Sequence, residues 1–361
     1  MDYEKILEEQ MNNVIDPDQA ADITNKASEI TGGLSDIFSL DKIVKATLEG
    51  ESIFDNQEMI DSLKSLAVYE IRAALVLGIE ILVICIIIGL LKNLSSSLGK
   101  KSMSDISLLV CTMIIIGISI NSFRLAYNLC LDSVSTMVST MEIIAPILFG
   151  ILISTGSIAS GTIMSPVVIG SVTGTGIILK KFILPAMFAA TILALINCLT
   201  EKDYVNKLSK LLRNAAVAVT GLLMAILSGI VSVQGLITDA SDGLLINTAK
   251  YSLSTFIPIV GGFTADTAEL FIKCMNTIKS IVGVFGMIVI ILVIIVPLIK
   301  VLVISLIYKI TAAVAEPICD SKISDGINDM GSCLISLGAI MFFAALLFII
   351  FISAIVSMGG E

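Results

Sequence analysis

The chain has 361 residues, of which 56% are hydrophobic and 15% charged, and its mean hydropathy is +1.00. Soluble domains average about 45–50% apolar and about 25% charged residues, so this composition predicts an integral membrane protein. The net charge of −9 argues against nucleic-acid binding, which depends on clustered Lys and Arg. The chain has no histidine, the commonest metal ligand and general base. We therefore expect no enzymatic activity, no cofactor and no metal site.

The first 70 residues form an acidic segment with 16 of the 31 acidic residues and 5 of the 22 basic ones. Apolar positions recur with helical spacing at 34–48 and at 59–67, which predicts amphipathic helices. These helices pack on each other, on the bilayer surface or on a partner. Residues 1–11 contain neither a basic nor an apolar stretch, so we expect that a signal peptide has been removed ahead of an exported segment 1–70.

Hydrophobic runs recur through the rest of the chain, and each is long enough to cross about 30 Å of hydrocarbon, which takes roughly 20 residues. They predict an all-α polytopic membrane protein with six to eight transmembrane helices. The runs are 71–91, 106–123, 166–199, 214–235, 281–308 and 333–357. The third run contains Lys180 and Lys181. It is either two short spans with a turn at the lysines, or one span whose lysines face an aqueous interior.

Basic residues orient these spans, because short cytosolic loops are enriched in Lys and Arg. Three lysines follow the first run and four basic residues precede the fourth, so loops 92–104 and 200–213 are predicted to be cytosolic. Loop 309–332 has the same assignment on weaker grounds. Segment 1–70, loops 121–142 and 236–250, and the C-terminus at Glu361 are then extracytosolic.

An ungapped alignment of residues 144–199 with residues 256–311 predicts an internal repeat. It predicts two parallel membrane units, 143–250 and 251–361, which follow a first transmembrane hairpin at 71–142. Each unit should open with a broken or re-entrant stretch, at 146–165 and at 258–280, because irregular backbone at membrane depth is tolerated only against protein or water. The residues expected to break helices there or farther on are Pro146, Gly150, Pro185, Pro258, Gly261, Gly262 and Pro297.

Four charged residues within the predicted spans are candidates for lining a pore or coupling to a partner: Glu80, Lys180, Lys181 and Lys300. An ionisable group in a span is costly unless it is paired or hydrated. Glu80 therefore either has a role in transport or makes an ion pair or water contact that has no such role. Lys300 either has such a role or extends its long stem toward the cytosolic interface.

Five short motifs in the C-terminal half resemble, in their order and spacing, the stage III sporulation protein AE family. They are STFIPIVGG at 254–262, KSIVG at 279–283, PLIK at 297–300, YKITAA at 308–313 and EPI at 316–318. The resemblance extends over most of the chain, including the acidic N-terminal region and the Pro/Gly stretch near Pro146. In that family a cleaved signal peptide precedes the region where this chain begins.

The resemblance implies a subunit of the channel complex that spans the two membranes around the forespore in endospore-forming bacteria, with this chain in the mother-cell membrane. The implied partners are the other stage III A proteins, including ring-forming subunits and a cytosolic ATPase, together with a forespore channel protein and membrane lipid. A homo-oligomer is also expected. Two alternatives are a secondary transporter of a small solute and a non-conducting scaffold. The transporter is disfavoured because the three candidate lysines have no charged counterparts across the repeat.

Overall fold

The computed structural model describes residues 24–26, 28, 56–98, 101–199, 205–230 and 261–358. Across these residues the backbone is almost entirely helical, with short turns at 155–157 and 316–320 and no strand, so the all-α prediction is confirmed. A π-helical turn at Leu179–Ile183 joins the third and fourth helices. The helices are α1 Asn56–Leu98, α2 Lys101–Ser154, α3 Ile158–Ile178, α4 Leu184–Asn197, α5 Asn206–Ile230, α6 Gly261–Ala315 and α7 Ser321–Ser357.

Six stretches in the described part of the chain are long and apolar enough to cross a membrane, and each overlaps one of the six predicted runs. They are Val68–Leu91, Leu109–Ser154, Gly161–Asn197, Asn206–Ile230, Ile272–Ala315 and Ser321–Ser357. The third is a single helical rod, since the chain passes through Lys180 and Lys181 by a π-helical turn instead of reversing. Of the two alternatives for run 166–199, the structure therefore shows the single span.

Helix α6 lies at the centre of the bundle, where α1, α2 and α7 pack around it. Helix α1 runs parallel to α6, since Glu70 pairs with Lys300 and Gly89 lies against Ile318. Helix α7 runs antiparallel to α6, since Ser305 Oγ donates to the carbonyl oxygen of Gly331 at 2.8 Å. These directions fix which ends of the helices lie together.

The helix ends that flank three connections lie at one end of this bundle. The α6–α7 turn approaches α1 near its C-terminal end, since a Cβ built at Gly89 would lie 2.6 Å from the Ile318 carbonyl oxygen. The end of α4 also reaches the start of α7, where Cys198 lies against Gly326. The described helix ends that flank the three loops predicted to be cytosolic thus lie toward the same end of the bundle. Which side of the membrane they occupy remains a prediction.

The helix break predicted at Pro146 is wrong, because α2 continues through Pro146 and Gly150 to Ser154. The break lies at Gly156, where a φ of 96° favours glycine. Gly156 N–H donates to Ile153 O at 3.1 Å and Ser157 N–H to Leu152 O at 3.1 Å, the pattern of a glycine-terminated helix. Proline removes one backbone donor from a helix, and membrane helices tolerate that loss.

The remaining predicted breaks have mixed outcomes. Helix α6 continues through Pro297 to Ala315, so the break predicted at Pro297 is wrong. Gly261 and Gly262 are the first described residues of α6, and the break predicted there stays a prediction. The chain stays helical through Pro185, which directly follows the π-helical turn, so a widened turn and not a break lies there. Pro258 lies outside the described residues.

The repeat can be compared with the structure only over the described residues. The α3–α4 rod and α6 both run toward the end that holds the connections, and α5 and α7 both run away from it. The aligned segments differ at the turn 155–157, whose counterparts at 267–269 lie inside α6. The repeat and its unit boundaries remain predictions from the sequence.

Candidate functional site

A stripe of polar side chains runs along the outer face of α2. Five of its six members are exposed and Ser139 is half-buried, while the opposite face of α2 lies in the core. The six share a face because their spacing follows the helical repeat of roughly 3.6 residues. The members of this polar stripe are Arg124, Asn128, Asp132, Ser135, Ser139 and Glu142.

The polar stripe spans about 27 Å, since its ends are eighteen residues apart and a helix rises roughly 1.5 Å per residue. That length is close to the roughly 30 Å of a hydrocarbon core. Toward the N-terminal end of α2, the exposed large side chains are instead apolar from Ile106 to Ile120. One helix therefore presents a lipid-compatible surface and then a water-compatible one.

Helix α3 and the π-helical turn form hydrogen bonds to the polar stripe. Lys180 Nζ donates to Ser135 Oγ at 3.0 Å, and Thr173 Oγ1 donates to Glu142 Oε1 at 3.3 Å. Lys181 lies beside Lys180 and is exposed. The structure therefore brings Lys180 to the polar stripe, whereas no contact joins the exposed Lys181 to it within the described residues. The stripe lies within 121–142, which the sequence predicts as an extracytosolic loop and which is helical throughout.

The third candidate lysine, Lys300, pairs with Glu70. The Lys300 Nζ and Glu70 Oε1 atoms are 3.1 Å apart, and the two side chains are 28% and 9% exposed. Glu70 lies close to the first residue of the Val68–Leu91 span, at the end of α1 far from the grouped connections. Lys300 thus bonds within the bundle instead of extending toward the predicted cytosolic end.

Glu80, the remaining candidate, lies on the outer face of α1 and is exposed. Its neighbours on that face are apolar and also exposed, among them Val76, Ile79 and Val83. The structure therefore does not place Glu80 with the candidate lysines. The expectation that Glu80 has a role in transport, or makes an ion pair or water contact without such a role, stays a prediction.

Sequence reasoning missed Lys279, which is 2% exposed. Its Nζ donates to the carbonyl oxygen of Met358, directly after the last residue of α7. A lysine at a helix C-terminus satisfies an orphan carbonyl and interacts favourably with the helix dipole. Nothing in the local sequence pairs residues so far apart, although Lys279 does belong to one of the five family-like motifs.

A polar cavity of about 360 Å³ lies among the ends of α4, α5 and α7. Its lining includes Lys210, Lys322, Asp325 and Asp329. Arg213 approaches Asp329 to 4.0 Å. Burial, and then the nearby Asp329 carboxylate, raise the pKa of the Cys198 thiol at this cavity to about 11. Lysines and carboxylates beside one ion pair are typical of a stabilised helix junction, and the cavity lies apart from the polar stripe.

The fold defines a polytopic helical membrane protein with a polar outer stripe on one long helix. Comparison with known proteins places the chain within that class: the family model described as stage III sporulation protein AE matches residues 38–359. The chain is also similar to stage III sporulation protein AE of Bacillus subtilis (strain 168), with 27% identity over 316 residues, which cover 87% of this chain and 78% of the relative. No solved structure matches. The chain belongs to the stage III sporulation protein AE family, which implies a role in sporulation.

Proposed function

We propose that the protein is a channel or export-gate subunit of the transport complex that joins the mother cell to the forespore. It lies in the mother-cell membrane around the forespore, with both termini in the space between the two membranes. It works there with the other stage III A proteins, including a ring of partner subunits and a cytosolic ATPase, and with a forespore channel protein. This role requires no catalytic step, cofactor or metal in the chain itself.

The polar stripe on α2 carries this proposal. Charged side chains on the outside of a membrane helix need water or a protein partner, because exposure to lipid costs several kcal/mol by the lower estimates of about 2.5 to 3.5 for each group. Arg124, Asp132 and Glu142 all point away from the core of their own chain. In an assembly of several copies, the stripes face inward and line an aqueous path.

The test exploits the charge at the centre of the polar stripe. In purified protein reconstituted into planar bilayers, Asp132→Lys should shift the permeability ratio toward anions, because fixed charges lining a pore set its ion selectivity. Glu316→Lys is the matched control, since Glu316 is also exposed but lies in the turn after α6. Spore yield of cells carrying each variant is measured in parallel.

A non-conducting scaffold makes the opposite prediction. Asp132→Lys would then leave any conductance unchanged and would reduce spore yield no more than Glu316→Lys does. That result, obtained with both variants present in the membrane at normal amounts, would overturn the channel proposal.

A further inference from the structure

The outer face of α1 is an apolar ridge that carries one carboxylate. Val76 and Ile79 are each 58% exposed and Val83 is 50% exposed, and exposed Glu80 lies among them. Glu80 is near the middle of the Val68–Leu91 span, where a carboxylate facing acyl chains is costly. Within the described residues Glu80 has no ion pair or hydrogen bond.

The outer face of α6 is a second apolar ridge, and it carries a cation. Its members recur every four residues and are 44 to 58% exposed: Leu302, Leu306, Ile310 and Val314. Lys309 lies beside this ridge and is half-buried. Its stem rests over α7, since a Cβ built at Gly331 would lie 2.9 Å from Lys309 Cγ.

Glu80 and Lys309 lie at the same level of the bundle. A Cβ built at Gly78 would lie 2.6 Å from Ile307 Cγ2 and 3.0 Å from Thr311 Oγ1, so the α1–α6 contact brackets residue 309. Glu80 is two residues from Gly78, about 3 Å along a helix. The two charges nevertheless lie on different sides of one chain, because α6 meets α1 through Ile307 and Thr311 and meets α7 beside Lys309.

We propose that these two ridges form the contact between adjacent copies of this chain, with Glu80 of one copy paired to Lys309 of the next. When copies are related by a rotation axis along the membrane normal, each residue lies at the same membrane depth in every copy. Glu80 of one copy and Lys309 of the next are therefore at matching depths. Ridges of residues four apart also interdigitate in the commonest class of helix packing. Because each copy offers both halves of the contact, the arrangement is head-to-tail and closes into a ring.

The charges favour this arrangement over a two-fold dimer. A symmetric contact between two α1 ridges would place two Glu80 carboxylates together. A symmetric contact between two α6 ridges would place two Lys309 ammonium groups together. Like charges in contact are unfavourable, whereas an acid and a base desolvated together stabilise a membrane contact. The inference concerns assembly alone and does not depend on conduction along the polar stripe.

Disulfide crosslinking in membranes tests the contact directly. In a chain whose seven native cysteines are replaced, Glu80→Cys combined with Lys309→Cys should form a ladder of dimers and higher multimers on oxidation. Each single variant should give no ladder. Glu80→Cys combined with Leu222→Cys, on the exposed face of α5, is the matched control and should stay monomeric.

Charge variants test the ion pair separately, by the size of the complex extracted in mild detergent. Glu80→Lys should lose the oligomer, and adding Lys309→Glu should restore it; the milder Glu80→Gln should weaken it even where the charged variants fail to accumulate. Absence of the ladder, equal crosslinking of the control pair, or dimers from Glu80→Cys alone would each overturn the proposal. So would an oligomer unaffected by Glu80→Gln. A failure here leaves the channel proposal standing, since that proposal is tested by ion selectivity.

Discussion

Replacing Lys300 with methionine isolates the contribution of the ion pair between α1 and α6. In the wild-type chain the Lys300 ammonium lies 3.1 Å from the Glu70 carboxylate, whose side chain is only 9% exposed. Removing one partner of a buried pair leaves the other charge uncompensated and costs about 3 to 5 kcal/mol. Because Lys300 itself is 28% exposed, we expect the lower end, about 3 kcal/mol.

Such a loss lowers the thermal midpoint by about 4 °C, given roughly 2.1 cal/mol/K of unfolding entropy per residue over a chain of this length. The chain has no tryptophan, so a dye that fluoresces on reacting with thiols is the suitable probe. Four of the cysteines are buried and become reactive on unfolding: Cys85, Cys130, Cys274 and Cys333. Lys181→Met is the matched control, since Lys181 is exposed, and its midpoint should stay at the wild-type value.

The double variant Glu70→Gln with Lys300→Met should recover part of the loss, because it leaves no unpaired charge. In this double-mutant cycle, the effects of the two substitutions on the free energy of unfolding should depart from additivity by about 1 to 3 kcal/mol, as expected for residues in direct contact. If Lys300→Met has the same thermal midpoint as the wild-type protein, Lys300 extends to the membrane interface and does not stabilise the fold by pairing with Glu70. A double variant less stable than Lys300→Met alone would also refute this pairing.

Three further predictions use the same purified protein. Gly89→Ala should lower the free energy of unfolding by about 1 to 3 kcal/mol through overpacking, because the new methyl group meets the Ile318 carbonyl. The control is Gly117→Ala, whose methyl group meets nothing within 4 Å and should be neutral or stabilise by up to about 1 kcal/mol. Equal thermal midpoints for the two variants would refute the contact at Gly89. Lys279→Met should cost about 1.5 to 3 kcal/mol by removing a charge-assisted hydrogen bond to the end of α7, and a wild-type midpoint would contradict that cap. The pKa of Cys198 is raised from 9.0 to about 11, so less of its thiol is ionised at a given pH. In a variant with Cys198 as the only cysteine, alkylation by iodoacetamide at pH 8 should therefore be about 100-fold slower than that of an ordinary thiol. The alkylation rate should rise about tenfold per pH unit. A flat pH profile would refute this burial effect.

The break at Gly156 shows how local signals compete. The prediction at 146–165 gives proline the greater weight, although a proline inside a membrane helix removes only one backbone hydrogen bond. Thr155-Gly156-Ser157 carries the glycine that a helix-terminating turn requires, and it was available in the sequence. The error at Pro146 therefore came from ranking two local signals and not from missing tertiary information.

The sequence by itself determined the membrane class, the six spans and the family. Hydrophobic runs near the thickness of a bilayer can be counted without knowing how they pack, because transfer into lipid is a property of each segment alone. The grouping of lysines and arginines likewise predicted which loops share a side, and the structure places the ends of those loops together.

Only the tertiary structure decided which charges meet. The partners of Lys300, Lys180 and Lys279 are 230, 45 and 79 residues away along the chain, and no local pattern specifies such pairs. The outward direction of the polar stripe and the equal levels of Glu80 and Lys309 have the same origin. A helix repeats its faces every 3.6 residues or so, but which face is buried depends on the neighbours that pack against it.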